Sequence, residues 1–254
     1  MEQTPPLFGI DGPIRAVVTG ARGGIGAALV DAILAASPAN AVVATGRRAD
    51  WAAAAQDPRC GRHRLDLTQE ADVAALAARL SDDGWSPNVI FNTVGLLHDG
   101  TLQPERTWRR LDPANLQRVF AVNVVVPALL VKHLMPLMPR GDRSVFASLS
   151  ARVGSIGDNR LGGWYSYRST KAAHNMLLKT ASIEARRRWP RLVIASLHPG
   201  TVDSALSEPF KRNVPAHKLF TPEYSAAQLC TVAGGLTPSD SGGFFAYDGQ
   251  PIEW

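Results

Sequence analysis

Two rhythms of apolar and polar positions alternate along the chain. Five short runs rich in β-branched and other apolar residues, at 16–19, 41–45, 89–92, 144–149 and 192–197, read as strands. Between and after them, apolar residues return every three or four positions over 24–36, 69–80, 113–137, 165–188 and 222–234, the spacing of one buried helix face. Strand then helix, repeated, predicts an α/β fold with a doubly wound parallel sheet and helices on both faces. Local chemistry sets the expected boundaries. Thr68 is a good N-cap for the helix opening at Gln69 and Glu70, Pro113 after Asp112 is a favoured first-turn proline, and Pro190 is expected to end the long helix before it. Residues 204–221 are long, polar and interrupted by prolines, and are expected to be a mobile covering segment.

Composition narrows the class. Of 254 residues, 45% are hydrophobic and 19% charged, the balance of a globular protein, and no Ser/Gly-rich or charged linker divides them, so one domain over 1–254 is expected. Cys60 and Cys230 match no metal or redox spacing. The N-terminal stretch has no basic-then-apolar signal segment, and no later apolar run is expected to be long enough to span a bilayer, which points to the cytoplasm. A net charge of +5 raises the question of nucleic acid, yet the arginines are spread along the chain. Their densest cluster, Arg186 to Arg188, falls at a helix end where cations favour the dipole, so no nucleic-acid surface is expected. His63, His98, His133, His174, His198 and His217 show no metal-ligand spacing.

Two motifs carry chemistry. Thr19-Gly20-Ala21-Arg22-Gly23-Gly24-Ile25-Gly26 joins the first strand to the first helix, where small residues let backbone approach a pyrophosphate and the helix start offers free amide donors. Tyr167 and Lys171 stand one helical turn apart, so both side chains share a face. An ammonium beside a phenol is expected to favour the phenolate and lower the tyrosine pKa toward the working range, giving a group able to exchange a proton with a carbonyl oxygen.

The spacing Gly-x-x-x-Gly-x-Gly after Thr19, together with Tyr167-x-x-x-Lys171, resembles the short-chain dehydrogenase/reductase family, and the resemblance covers residues 15 to about 249. The stretch 150–171, with Gly154-Ser155-Ile156 and Gly162-Gly163-Trp164-Tyr165, is most similar to the C-factor-like, or sniffer-like, branch of carbonyl reductases. A single Rossmann-type domain is what the resemblance implies for the fold. For the cofactor it implies contacts from Gly20, Arg22, Gly24, Ile25 and Gly26, from Asp66 and Leu67, from Asn92 and Gly95 in a variant of the family's Asn-Asn-Ala-Gly, and from Pro199, Gly200 and Val202. Thr45-Gly46-Arg47-Arg48 follows the second strand with no carboxylate to repel a 2′-phosphate. Arg47, with Arg22 or Arg48 beside it, would then pair with that phosphate, which favours NADP (NADPH), with NAD possible.

Carried onto this sequence, the family's catalytic tetrad falls on Asn123, Ser150, Tyr167 and Lys171. Tyr167 is the implied acid/base, Lys171 its pKa partner and a cofactor contact, and Asn123 the helix-distorting residue that supports a proton-relay water. Counted back from Gly154, the usual serine position is Ala151, so Ser150 is the choice, with Ser148 and Ser155 as substitutes. Reduction of an aldehyde or ketone, or oxidation of the alcohol, is the implied reaction, in a homodimer or homotetramer. A pocket of Leu96, Leu97, Trp164, Tyr165 and Phe210 would take the small-molecule substrate. The alternative is a nucleotide-binding, C-factor-like signalling or regulatory protein with little turnover.

Overall fold

The computed structural model describes residues 6–54, 57–211 and 214–254. Seven parallel strands form its centre in the order β3-β2-β1-β4-β5-β6-β9: β1 Arg15–Thr19, β2 Ala41–Gly46, β3 Cys60–Arg64, β4 Val89–Asn92, β5 Ser144–Leu149, β6 Leu192–His198 and β9 Gly243–Ala246. A separate two-stranded pair joins β7 Thr201–Val202 to β8 Leu219–Phe220. Because the order runs outward in both directions from β1 and β4, the strand C-termini open a crevice there, which is where doubly wound folds bind ligands.

Apolar strand residues point alternately to two helix layers. Val18, Ala44, Phe91, Ala147 and Ala195 pack with α1 Gly24–Ala36 and α7 Pro222–Gly235, through Leu29, Ile33 and Leu229. Val17, Ile90, Phe146 and Ile194 pack on the other face with α3 Glu70–Asp82, α5 Val126–His133 and α6 Tyr165–Ala185, through Leu76, Leu130 and Leu178. Full burial of a Leu, Ile or Phe side chain stabilises by roughly 1.5–3 kcal/mol, so these two layers are the main source of stability.

Several boundaries differ from the expected ones for local reasons. Asp112 does cap α4 Pro113–Phe120, accepting the Asn115 amide at 2.8 Å. Thr68 does not cap α3: its hydroxyl donates to Asp66 and Gln69 takes the cap position. The long helix α6 ends at Ala185, ahead of Pro190, and closes through a turn. Residues 113–137 are not one helix. A π-helical turn over Ala121–Val125 separates α4 from α5, and a short 3-10 turn at Met135–Leu137 follows. Contrary to the expectation from sequence, this run is long and apolar enough to cross a membrane by length and composition. Its apolarity has another use here, since Val119, Val126, Leu129 and Leu130 are buried against the sheet and its neighbours.

Sequence reasoning set no range for β3 and missed β9, the short helix α2 Ala49–Ala53 and the β7–β8 pair. The last of these lies at the edges of the segment expected to cover the site. Residues 212–213 of that segment fall outside the described residues, but Leu219 and Phe220 are strand, and Thr221 caps α7 by accepting the Tyr224 amide.

Candidate active site

The turn after β1 is built from close backbone contacts. Gly20 has φ +75, and a β-carbon added to it would lie 2.7 Å from Thr93 Oγ1. At Gly26 the added carbon would lie 2.5 Å from the Gly20 carbonyl oxygen, so helix α1 starts as close to the turn as only glycine allows. Gly24 faces Pro222 in the same way, at 2.9 Å, while Ile25 packs against the core. Beneath the turn Asn92 is fully buried. It accepts the Thr19 hydroxyl at 2.7 Å and the Val94 amide at 3.1 Å, and donates to Ser148 Oγ at 2.8 Å. Its side chain therefore ties β1, β4 and β5 together at the crevice floor.

At the rim, Arg22 and Arg47 are exposed, and neither forms an ion pair among the described residues. Arg48 pairs with Asp50, which holds that carboxyl down at about 2. Asp66 accepts the amide and hydroxyl of Thr68, and Leu67 is buried in the core, so only the backbone of Leu67 can reach the crevice. Pro199 accepts the Ser225 hydroxyl at 2.9 Å; Gly200, at φ +76, lets Phe220 and Tyr247 pack over it, and Val202 is buried in β7.

The catalytic candidates converge from three elements. Gly95 lies beside two of them, since a β-carbon there would be 3.7 Å from Lys171 Nζ and 3.8 Å from Asn123 Oδ1. Asn123 sits inside the π-helical turn and clamps Leu96 from both ends of its amide, accepting its N–H at 2.7 Å and donating to its carbonyl at 2.9 Å. A second donation, at 3.1 Å, reaches Thr170 on α6. The π turn follows from this clamp: the Asn123 amide is fully engaged across the crevice, and the helix widens locally to let it point there.

Lys171 and Tyr167 share the inner face of α6, with Nζ 5.7 Å from the centre of the phenol ring. The expected lowering of the tyrosine is not what the protein alone produces. Both groups are buried, and Lys171 Nζ donates a hydrogen bond to the Leu149 carbonyl at 2.8 Å. Burial disfavours whichever form is charged, so it pushes the Tyr167 phenol up from its ordinary value and the Lys171 amine down to about 7.

None of the three candidate serines hydrogen-bonds to Tyr167 among the described residues. Ser150, 3% exposed, donates to Asn175 Oδ1 at 2.6 Å, Ser148 accepts from Asn92, and Ser155 accepts the Asp158 amide at 3.0 Å. Three further participants escaped sequence reasoning because their partners are far away in the chain. Thr170 and Asn175 lie on α6 beside the expected pair, and Glu105 binds the start of α6 from 61 residues upstream. His174 reaches the Asn123 carbonyl at 3.2 Å, while its Nε2 has no hydrogen-bond partner among the described residues; burial holds the ring neutral, with its pKa pushed down to about 3.

A family model for short chain dehydrogenases matches residues 15–215. The chain belongs to the short-chain dehydrogenase family. This short-chain dehydrogenase is 33% identical over 190 residues to 1-hydroxy-2-glutathionyl-2-methyl-3-butene dehydrogenase of Rhodococcus sp. (strain AD45), a match that covers 75% of this chain and 78% of the relative. It is 33% identical over 144 residues to C-signal of Myxococcus xanthus, covering 57% and 81%. Among solved structures it superposes on NADPH-bound carbonyl reductase from chicken fatty liver with a TM-score of 0.84 and 26% identity, over 96% of each chain. The carbonyl reductase Sniffer of D. melanogaster superposes with a TM-score of 0.79 and 25% identity, over 95% and 99%. The sheet order and glycine turn described above are thus those of an NAD(P)-dependent oxidoreductase, and the expectation drawn from the motifs holds at that level.

Proposed function

We propose that this short-chain dehydrogenase reduces aldehydes or ketones with NADPH, and oxidises the corresponding alcohols in reverse. The observation that carries the reading is the Tyr167–Lys171 pair buried on one face of α6 beside Gly95 and Asn123, at the C-terminal crevice of the sheet. The residues fit a dinucleotide: the glycine cradle would hold the pyrophosphate, and Arg22 and Arg47, exposed and without an ion pair among the described residues, would offer charge-assisted partners to a 2′-phosphate. When bound, NADPH supplies the hydride to the carbonyl carbon.

Everything else falls to the chain. Tyr167, kept protonated by burial, donates its hydroxyl proton to the substrate oxygen as negative charge develops there. Lys171 sits close enough to stabilise the resulting phenolate once it carries its proton, and the Leu149 carbonyl fixes its position. Asn123 holds the π turn and Leu96, which together wall the substrate pocket. Ser150 is proposed to join the substrate oxygen only if its hydrogen bond to Asn175 is exchanged. Residues 204–211 are proposed as the cover over that pocket, because the Leu206 carbonyl receives a hydrogen bond from His98 at 2.9 Å and the Phe210 ring rests 4.8 Å from that of Trp164.

Two finer features of the reading concern surroundings. Met176 and Ile183 lie seven residues apart on α6 and are 67% and 60% exposed, two apolar side chains on one helix face that support a homo-oligomer built on this helix. A cytoplasmic location suits the NADPH supply that the reaction draws on. The test of function is a panel of aldehydes, ketones and diketones assayed with NADPH and NADH at the nicotinamide absorbance. Turnover with NADPH, and at least ~10-fold lower kcat/KM with NADH, is expected from the arginine rim. Tight NADPH binding without turnover of any carbonyl compound would instead favour a nucleotide-binding regulatory protein.

A further inference from the structure

Glu105 is a buried carboxylate, 5% exposed, with no part in the proton chemistry. It lies against the start of α6, the helix that carries Tyr167 and Lys171. Its backbone carbonyl accepts the Trp164 amide at 2.5 Å, and its carboxylate accepts the Ser166 amide at 3.1 Å and the Ser166 hydroxyl. Helix α6 has no side-chain cap of its own, because Trp164 occupies the cap position. Glu105 therefore performs the capping from a distant segment, placing negative charge where the free amides and the helix dipole favour it.

What this cap holds is an uphill backbone. Gly162, Gly163 and Trp164 are three consecutive residues with positive φ, at +64, +68 and +51. Glycine tolerates that region, but for a residue with a β-carbon it costs about 1–2 kcal/mol. Arg168 braces the approach by donating to the Gly162 and Gly163 carbonyls at 3.2 and 3.0 Å. The outcome is a fixed Trp164 ring, edge-on to the Tyr167 ring at 6.2 Å and against Phe210 at 4.8 Å, while the His98 ring meets Phe210 edge-on at 5.7 Å. A strained residue kept in place by a buried charged cap, with its side chain against the proton donor, has the form of a pre-organised wall.

We propose that Glu105 is a positioning residue and Trp164 the specificity-determining wall it positions, so that the site prefers carbonyl compounds with a flat aromatic or conjugated body over small aliphatic ones. The inference deepens the carbonyl-reductase reading and rests on it. A flat apolar substrate would lie against the face of Trp164 while its oxygen reaches Tyr167, and aromatic contacts of this kind add about 0.5–1.5 kcal/mol to the area they bury.

The experiment compares 4-nitrobenzaldehyde with propanal, with NADPH, in the wild type and in Trp164→Ala, Glu105→Ala, Glu105→Gln and Tyr167→Phe. Wild-type enzyme is expected to favour the aromatic aldehyde. Trp164→Ala should lower kcat/KM for it ~10-fold or more, mainly through KM, and lower that for propanal by a clearly smaller factor. Glu105→Ala should reproduce that selective loss and add little in the double variant with Trp164→Ala, because both act through one wall. Glu105→Gln keeps an acceptor for Ser166 and should recover most of the preference. Should Glu105→Ala fail to fold, Ser166→Ala removes one of the two carboxylate bonds and is expected to show the same selectivity loss in weaker form. A fall of equal size for both aldehydes in Trp164→Ala or Glu105→Ala, or a wild-type preference for propanal, would overturn the inference. Tyr167→Phe separates the two levels: if it retains turnover, or if the wild type reduces neither aldehyde, the underlying reading fails; if it abolishes turnover while selectivity never moves, only the wall is wrong.

Discussion

The crevice has two ends that are built in opposite ways. At the nucleotide end, between β1 and α1, the shape is set by what is missing: Gly20 and Gly26 leave room for backbone to meet backbone at distances no side chain would permit. At the catalytic end the shape is set by side chains reaching across the fold. Asn123 clamps Leu96 and Thr170, Lys171 reaches Leu149, Ser150 reaches Asn175, and Glu105 caps α6. The first end is a rigid cradle that depends on a few neighbouring residues. The second is a buried polar lattice in which burial itself disfavours charge, raising the phenol of Tyr167 and lowering the amine of Lys171.

The contrast predicts that the two ends fail separately. Tyr167→Phe removes the proton donor and nothing from the cradle, so turnover should fall by ~10³-fold or more, at the upper part of the range for a general acid. NADPH affinity, read by nicotinamide fluorescence, should stay within ~3-fold. A variant that kept its turnover would show that the lattice at the catalytic end does not carry the chemistry.

Gly26→Ala strikes the other end. The new β-carbon would lie 2.5 Å from a backbone oxygen that cannot move aside cheaply, so about 1–3 kcal/mol of stability should be lost, together with most of the NADPH affinity. Residual turnover at saturating NADPH should stay nearer the wild type than that of Tyr167→Phe. Equal loss of kcat in the two variants would mean that cradle and lattice are coupled more tightly than the separation of their contacts suggests.

The same contrast explains what could be read from sequence. The glycine turn was legible because its cause is local: small residues between one strand and one helix need no knowledge of the rest of the chain. Likewise Tyr167 and Lys171 announce themselves by four-residue spacing, and α1, β4 and β5 by largely apolar runs. The π turn inside 113–137 was legible only through the family position of Asn123, since apolar periodicity alone reads as one continuous helix. Glu105 and Asn175 were not legible at all. Their partners lie 61 and 25 residues away, and nothing near either residue in sequence marks it as buried. The direction of the Tyr167 shift was missed for a related reason, since proximity to a lysine can be counted along a helix whereas burial depends on every element packed around it.

The cost of burying Lys171 at the catalytic end can be read from stability alone. Lys171 has a folded pKa of about 7, below its unfolded value near 10.5, so between those pH values the unfolded chain binds more protons than the folded one. Stability conferred by leaving this site uncharged therefore grows as pH rises through that window, and below about pH 7 the folded state bears the full penalty of a buried ammonium. Lys171→Met removes the penalty and leaves the Leu149 carbonyl without its donor. The cofactor-free variant should melt a few degrees above the wild type at pH 6, about 1 kcal/mol for a chain of this size, and the gap should close as pH approaches 10. A gap that does not change with pH would show that Lys171 keeps its proton despite burial.

The smallest expected effect falls on Ser150, and it tests how firmly the lattice holds its members. In this arrangement its single hydroxyl proton goes to Asn175 Oδ1 at 2.6 Å, and the position counted from Gly154 as the usual serine is Ala151. If Tyr167 alone donates to the substrate oxygen, Ser150→Ala should lower kcat/KM by less than ~5-fold, under about 1 kcal/mol of transition-state stabilisation, and part of that loss should follow from leaving the Asn175 amide less well held. Ala151→Ser should then raise kcat, because it would add a hydroxyl at a partly exposed position beside the crevice without disturbing the Ser150–Asn175 bond. A loss of ~10²-fold or more in Ser150→Ala would mean that its hydroxyl turns from Asn175 to the substrate during turnover, and that the catalytic lattice, unlike the nucleotide cradle, rearranges as it works.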